Sequence, residues 1–194
     1  MIRMLFGLVL LSAASAPAFA SELGDDGLYK PGWFSVTFRD LSEDLEMANE
    51  SGKRLVMFFE QRGCVYCKQV HETVLTDPEV RDFIEKNYMV VQYNLYGDED
   101  VVDFDGDDLT EKSAARKWGV LFTPTILFMP EEADSSKSAK DQAVAVMPGA
   151  FRKGTFLDMF RWVHQRGYEG DEDFQRYHAR SIRERAAAGI ENTD

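Results

Sequence analysis

Short apolar runs alternate along the chain with segments in which apolar residues recur every three or four positions. The run at residues 55–59 is continuously apolar, which is typical of a strand covered on both faces. Similar runs predict three further strands, at residues 89–95, 125–129 and 143–147. Because helical segments separate most of these strands and the last two are close in sequence, the pattern predicts an α/β domain with a mixed sheet.

Helical spacing of apolar residues defines the segments between and after the strands. Asp77 followed by Pro78 is a typical helix start, since an aspartate caps well and proline suits the first turn. An acidic segment at residues 97–108 carries seven acidic residues and no basic one, and we expect an exposed loop there. The predicted helices cover residues 41–49, 64–76, the segment from 78, 110–117, 155–164 and 173–188.

Cys64 and Cys67 are the only cysteines of the chain, and they lie between the strand at 55–59 and the helix that follows it. This order places the Cys64 thiol at a helix N-terminus, where unpaired N–H groups and the helix dipole stabilise a thiolate. The thiolate is the form that attacks disulfides. Cys67 lies one turn further on the same side and can close a disulfide with Cys64. The pair therefore predicts a redox-active dithiol–disulfide centre.

Residues 1–20 have the pattern of a secretory signal peptide. Arg3 precedes an apolar run at residues 5–11, and Ala18-Phe19-Ala20 provides a cleavage site before Ser21. The run is too short for a membrane span, although an uncleaved anchor is the alternative. Export predicts a periplasmic location, where disulfides persist unless they are reduced.

Charge and length narrow the function further. The net charge of −12 argues against nucleic acid or an anionic membrane surface as a partner. The chain left after cleavage is long enough for one domain with its own core. We expect an extended lead-in at residues 21–36, the domain at residues 37–168 and a helical tail at residues 169–194, in a protein that is a monomer.

Four motifs in this order resemble the thioredoxin-fold family, and more closely the SoxW-type periplasmic thioredoxins. They are the strand before Gly63-Cys64-Val65-Tyr66-Cys67, then Trp118-Gly119-Val120, Phe122-Thr123-Pro124-Thr125, and Gly149 before the last domain helix. The resemblance covers residues 38–165. It implies a thioredoxin-like three-layer fold, in which helices flank a central mixed β-sheet.

The resemblance also implies where a substrate binds. Pro124 is expected to be a cis proline beside the cysteine pair, with the backbone of Thr123 turned toward Cys64 to pair with an incoming substrate strand. Val65 and Tyr66, inside the motif, are expected to contact the substrate. Gly63, just before the first cysteine, joins this predicted substrate-binding set. The alternative for the proline is an ordinary trans bond ahead of a strand.

The chain departs from the thioredoxin pattern at several positions. Thioredoxins carry tryptophan before the first cysteine and Gly-Pro between the two, where this chain has Gly63 and Val65-Tyr66. Phe58 replaces the buried aspartate that thioredoxins use to accept a proton. Glu60 is the nearest carboxylate able to replace it, and burial would suit it to take the proton of the second cysteine. The alternative is an exposed glutamate at a strand end.

Taken together, these features predict a periplasmic thiol–disulfide reductase that acts on protein disulfides without a cofactor. The motif lacks a histidine that would strongly stabilise the reduced thiolate, which favours a reductase over an oxidase. The SoxW-type resemblance implies that a membrane thiol–disulfide electron carrier returns the protein to its reduced form. A disulfide isomerase or oxidase is the second hypothesis, suggested by Tyr66 and Thr123. A non-catalytic interaction module with a permanent disulfide is the third.

Metal binding is not expected. Cys64, Cys67 and His71 have helical spacing, but the further ligands of a structural zinc site are missing, and His71 is expected at the surface or packed against the helix. The acidic residues 103–108 lack the glycine and glutamate that a calcium-binding EF-hand loop needs at its sixth and twelfth positions.

Overall fold

The structure, a computed structural model, describes residues 21–190, so the predicted signal peptide lies outside the described residues. The strands are β1 (Glu22–Leu23), β2 (Tyr29–Lys30), β3 (Arg54–Glu60), β4 (Tyr88–Asn94), β5 (Asp100–Val102), β6 (Asp108–Thr110), β7 (Thr125–Phe128) and β8 (Ala145–Pro148). The helices are α1 (Leu41–Glu50), α2 (Val65–Gln69), α3 (Pro78–Asn87), α4 (Glu111–Lys117), α5 (Ala139–Gln142), α6 (Lys153–His164) and α7 (Phe174–Ala187). A π-helical turn, Val70–Val74, continues α2. The predicted strands and helices are all present, and β1, β2, β5, β6 and α5 are additions.

The central sheet has four strands in the order β4-β3-β7-β8. Strand β3 runs parallel to β4 and antiparallel to β7, which in turn is antiparallel to β8. Helices cover both faces of this sheet, which confirms the predicted fold class. In the register of β3 and β7, Phe59 lies opposite Thr125. The loop that leaves β3 therefore meets the loop that enters β7 at one edge of the sheet.

Strand β3 explains why its sequence reads as an unbroken apolar run. All seven of its residues are buried, and successive side chains point to opposite faces. Met57 and Phe59 pack with α1 and with Trp118, just after α4, on one face. Val56 and Phe58 pack with the π-helical turn, α3 and α6 on the other.

The N-terminal segment is more structured than the predicted extended lead-in. Strands β1 and β2 pair as an antiparallel hairpin. After the hairpin, Trp33 and Phe34 pack against the core on the α3 and α6 side of the sheet. The Ser35 N–H donates to the Val90 carbonyl oxygen at 2.8 Å, so the segment also joins the edge strand β4. The apolar packing and this hydrogen bond thus dock the segment on the domain.

The prediction of a fully exposed acidic loop is wrong for the middle of residues 97–108. Strand β5 pairs with β6, and Val101, Asp103 and Phe104 are buried. The Asp103 carboxylate accepts hydrogen bonds from the Trp118 indole N–H and the Ala139 N–H, each at 2.8 Å. A lysine of α4 partly offsets the negative charge of the segment. Its ammonium group contacts three carboxylates, in the pairs Lys117–Asp103, Lys117–Asp105 and Lys117–Asp107.

Replacing Lys117 with methionine should lower the free energy of unfolding by about 3 kcal/mol, because it leaves the buried Asp103 carboxylate without a cation. Urea denaturation of both proteins measures the difference. Lys112→Met, at an exposed position of the same helix, is the matched control and should change stability by less than about 0.5 kcal/mol. Equal changes in the two variants would contradict the proposed contribution of the Lys117–Asp103 pair.

The predicted helix of the tail is present as α7, and it packs on α6. Asp173 caps it, and Tyr177 is buried on its inner face. Arg185 donates two hydrogen bonds, at 2.8 and 3.0 Å, to the buried Asp158 carboxylate of α6. Among residues 21–190, no helix has the length and apolar character needed to cross a membrane.

Candidate active site

The two cysteines form a disulfide at the start of α2, with their Cα atoms 5.2 Å apart. Cys64 is the N-cap residue of this helix, and its sulfur accepts a hydrogen bond from the Cys67 N–H at 3.0 Å. Cys64 is partly exposed, whereas Cys67 is only 1% exposed. The two sulfurs are therefore not equivalent, because only the first can meet another protein.

The turn before the helix sets the position of Cys64. Gly63 has φ of +74°, a backbone conformation that glycine adopts without the strain other residues incur. The Cys64 N–H then donates to the Gln61 carbonyl oxygen at 3.2 Å. This tight turn allows the buried strand β3 to pass directly into a helix whose first residue reaches the surface.

Thr123 and Pro124 lie beside this disulfide, where β7 begins. The peptide bond between them is cis, and the Thr123 hydroxyl donates to the Cys64 sulfur at 3.3 Å. The register of the sheet brings these groups together, because the loops that carry them lead out of β3 and into the neighbouring strand β7. Two residues 59 positions apart in the sequence thus share one site.

Exposed apolar side chains rim the disulfide. Val65 and Tyr66, both predicted as substrate contacts, are more than half exposed, and so are Leu121 and Phe122 in the loop before Pro124. Sequence reasoning did not single out Leu121 and Phe122 as surface residues. Apolar surface left in water beside a reactive group is typical of a site that receives another molecule.

Glu60, at the end of β3, is 1% exposed, so the alternative of an exposed glutamate is wrong. One carboxylate oxygen lies 2.8 Å from Nε2 of His71, and the other accepts from the Gln92 side-chain amide. His71 is also 1% exposed; a surface position is excluded, and it packs inward from the helix. It follows Cys67 by four residues, which puts both on one face of the helix. Sequence reasoning missed His71 and Gln92 as members of the site.

The N-terminal hairpin contacts the same group of residues. The Tyr29 ring stacks on the His71 ring with centroids 4.9 Å apart, and the Ser21 hydroxyl lies 3.3 Å from His71 Nδ1. The Tyr29 carbonyl accepts from the Gln92 amide at 2.7 Å. The polar cluster of Glu60, His71 and the partly buried Gln92 therefore joins β3, β4 and the helix that carries the cysteines to the hairpin.

Within residues 21–190, no three His, Cys, Asp or Glu side chains come together as a group that could hold a metal ion. Both cysteines are joined to each other, and the nearest histidine of the helix, His71, faces Glu60. The chemistry that this arrangement offers is that of sulfur: a disulfide with one accessible atom, hydrogen-bond donors aimed at it, and a buried acid–base pair on the inner side of the helix.

The sheet order, the helix-terminal disulfide and the neighbouring cis proline define a protein of thioredoxin fold. The thioredoxin-like domain family matches residues 41–162, which is more than half of the chain, and the chain belongs to that family. This match includes both cysteines and Pro124.

Solved structures show the same fold. A thioredoxin-fold protein from Helicobacter pylori is 20% identical, with a TM-score of 0.53 over 71% of this chain and 86% of that one. A thioredoxin from Thermus thermophilus is 25% identical, with a TM-score of 0.51 over 68% of this chain and 91% of that one. No curated protein matches the sequence significantly.

Proposed function

We propose that this protein is a periplasmic thiol–disulfide oxidoreductase that reduces protein disulfides through Cys64 and Cys67. The observation that carries the proposal is the difference between the two sulfurs. Cys64 is partly exposed at a helix N-terminus, whereas Cys67 is enclosed and bonded to it. A nucleophile that meets the substrate and a second thiol that stays inside are what a two-step exchange requires.

In the reduced protein, the Cys64 thiolate attacks one sulfur of a substrate disulfide, and the other substrate sulfur leaves as a thiol. Cys67, after losing its proton, then attacks the Cys64 sulfur and displaces the second substrate thiol. Two electrons and two protons pass to the substrate, and the Cys64–Cys67 disulfide is formed. The Cys67 N–H and the Thr123 hydroxyl, both donating to the Cys64 sulfur, stabilise its negative charge before attack.

Glu60 is the proposed acceptor of the Cys67 proton, with His71 as its partner. Both side chains are buried, and His71 lies one helical turn from Cys67 while its Nε2 lies 2.8 Å from the Glu60 carboxylate. We expect a buried carboxylate held by hydrogen bonds to accept a proton without rearrangement of solvent. This arrangement takes the place of the aspartate that Phe58 replaces.

The proposed partners follow from the same surface. We expect the backbone of Thr123 to pair with an extended substrate strand and the exposed Tyr66 and Phe122 to offer it apolar contact. We further propose that a membrane thiol–disulfide carrier reduces the protein again, that the signal peptide directs a monomer to the periplasm, and that the chain acts as SoxW-type thioredoxins do. The sequence resemblance supports these finer points.

The partial exposure of Cys64 speaks against a purely structural disulfide, because a permanent bridge has no need of an accessible sulfur. The direction of exchange depends on the reduction potential. Equilibration of the purified protein with glutathione buffers should give a value near the thioredoxin range of about −270 mV. A potential near about −180 mV would favour an isomerase, and one near about −120 mV an oxidase, so either would contradict a reductase.

A further inference from the structure

A groove with a volume of about 450 Å³ lies between the N-terminal hairpin and the cysteine loop. It lies on the hairpin side of Cys64 and includes neither Thr123 nor Pro124. Its walls include Leu23, Gly24, Tyr29, Arg62, Cys64 and Val65. The groove therefore extends away from the predicted strand-pairing site at Thr123, although it shares Gly63, Cys64 and Val65 with the predicted substrate-binding set.

The hairpin wall is fastened directly to the active-site loop. Arg62, two residues before Cys64, donates to the Asp25 carbonyl oxygen at 3.0 Å and to the Asp26 carbonyl oxygen at 3.3 Å. Gly27 has φ of +78°, and a Cβ at this position would lie 2.8 Å from the Arg62 Cγ atom. The hairpin turn thus packs against Arg62 so closely that it needs a glycine.

A second attachment holds the other end of the hairpin. Tyr29 stacks on His71 and accepts a hydrogen bond from Gln92, both members of the polar cluster that includes Glu60. The residues that hold this end of the hairpin are thus members of the same cluster that lies beneath α2. The wall is a fixed part of the site.

Apolar side chains and exposed main chain make up most of the groove surface. Leu23 is 63% exposed and Val65 is 74% exposed, although both are large apolar residues that line it. Gly24, Gly27 and Gly63 leave main chain open between them. A volume of about 450 Å³ is ordinary for a site that encloses a small ligand, and it has room for a few side chains.

We propose that this groove binds the stretch of substrate polypeptide next to the disulfide under attack, and that it prefers an apolar side chain there. The proposal rests on the proposed oxidoreductase function. During attack the substrate sulfur must come within about 2.05 Å of the Cys64 sulfur, the length of a disulfide bond. In an extended substrate chain, successive residues are about 3.4 Å apart. The substrate residues next to the attacked cysteine therefore lie close to the groove, because Cys64 itself lines it.

The experiment compares two disulfide-linked peptides that differ only in one residue beside the cysteine, leucine in one and serine in the other. The wild-type protein should reduce the leucine peptide with a kcat/KM about tenfold higher, because its side chain becomes buried against Leu23 and Val65. In Leu23→Ser this ratio should fall to about twofold or less. Leu23 is exposed, and a thermal melt verifies that the variant is folded.

Val36→Ser is the matched control. Val36 is 86% exposed in the same N-terminal segment but does not line the groove, so its variant should keep the wild-type ratio. The groove proposal would be wrong if Leu23→Ser retained the full preference for the leucine peptide. It would also be wrong if Val36→Ser lost that preference to the same extent. Failure of the wild-type protein to reduce either peptide would instead overturn the oxidoreductase function, and the groove proposal with it.

Discussion

Alanine at Cys64 should reduce insulin-disulfide reduction to the rate of dithiothreitol alone. Cys64 is the partly exposed sulfur of the pair, and the enclosed Cys67 cannot reach a disulfide on another protein. The precipitation of reduced insulin, followed by turbidity, measures the rate. Wild-type activity in this variant would show that the Cys64–Cys67 disulfide is not the redox centre.

Alanine at Cys67 provides the complementary result. The variant retains the nucleophile but lacks the thiol that resolves the mixed disulfide, so substrate proteins should accumulate as covalent adducts. Non-reducing gel electrophoresis of periplasmic extracts, followed by mass spectrometry, identifies those partners. The Cys64→Ala, Cys67→Ala double variant is the control and should trap none. Adducts in the double variant would mean that capture does not depend on Cys64.

The second large effect is expected for Glu60→Gln, which should slow resolution of the mixed disulfide about 100-fold. Glutamine keeps the size of the side chain and its carbonyl can still face His71, but it no longer takes a proton readily. Formation of the mixed disulfide, which uses Cys64 alone, should stay near the wild-type rate. Single-turnover kinetics with a fluorescent peptide disulfide separate the two steps.

The pH profile distinguishes proton transfer from a purely structural role of Glu60. In the variant, the resolution rate should rise with pH toward the ordinary thiol range near about 8.5, because solvent must then remove the Cys67 proton. Glu72→Gln, at an exposed position of the π-helical turn that carries His71, is the matched control and should leave the profile unchanged. A lower melting temperature with an unaltered profile would assign Glu60 a structural role only.

Local pattern was sufficient for much of the fold. The apolar run of β3 and the Asp77-Pro78 start of α3 are visible in the sequence because burial on two faces and helix capping each require particular residue types nearby. The cysteine pair could also be recognised from the sequence, because its position between a strand and a helix is a local feature. These elements then place Cys64 against Thr123 through the pairing of β3 with β7.

Contacts between distant segments account for what was missed. Glu60 could be named from the sequence as a candidate proton acceptor, but nothing beside His71 in the sequence marks that histidine as its buried partner. The hairpin depends on Arg62, more than thirty residues away, for the packing of its turn. The acidic segment misled because its charges outnumber its apolar residues, although Phe104 is buried. A lysine outside the segment neutralises the buried carboxylate, and the segment alone does not reveal it.

Ser21 connects the predicted signal-peptide cleavage with the candidate active site. It is the first residue after the predicted cleavage site, and its hydroxyl lies 3.3 Å from His71. A cut three residues further along would remove both this contact and Leu23 from the groove wall, so the predicted cleavage position would also affect the surroundings of the cysteine pair. Recombinant protein intended for kinetics should accordingly begin at Ser21, with any purification handle placed away from that end.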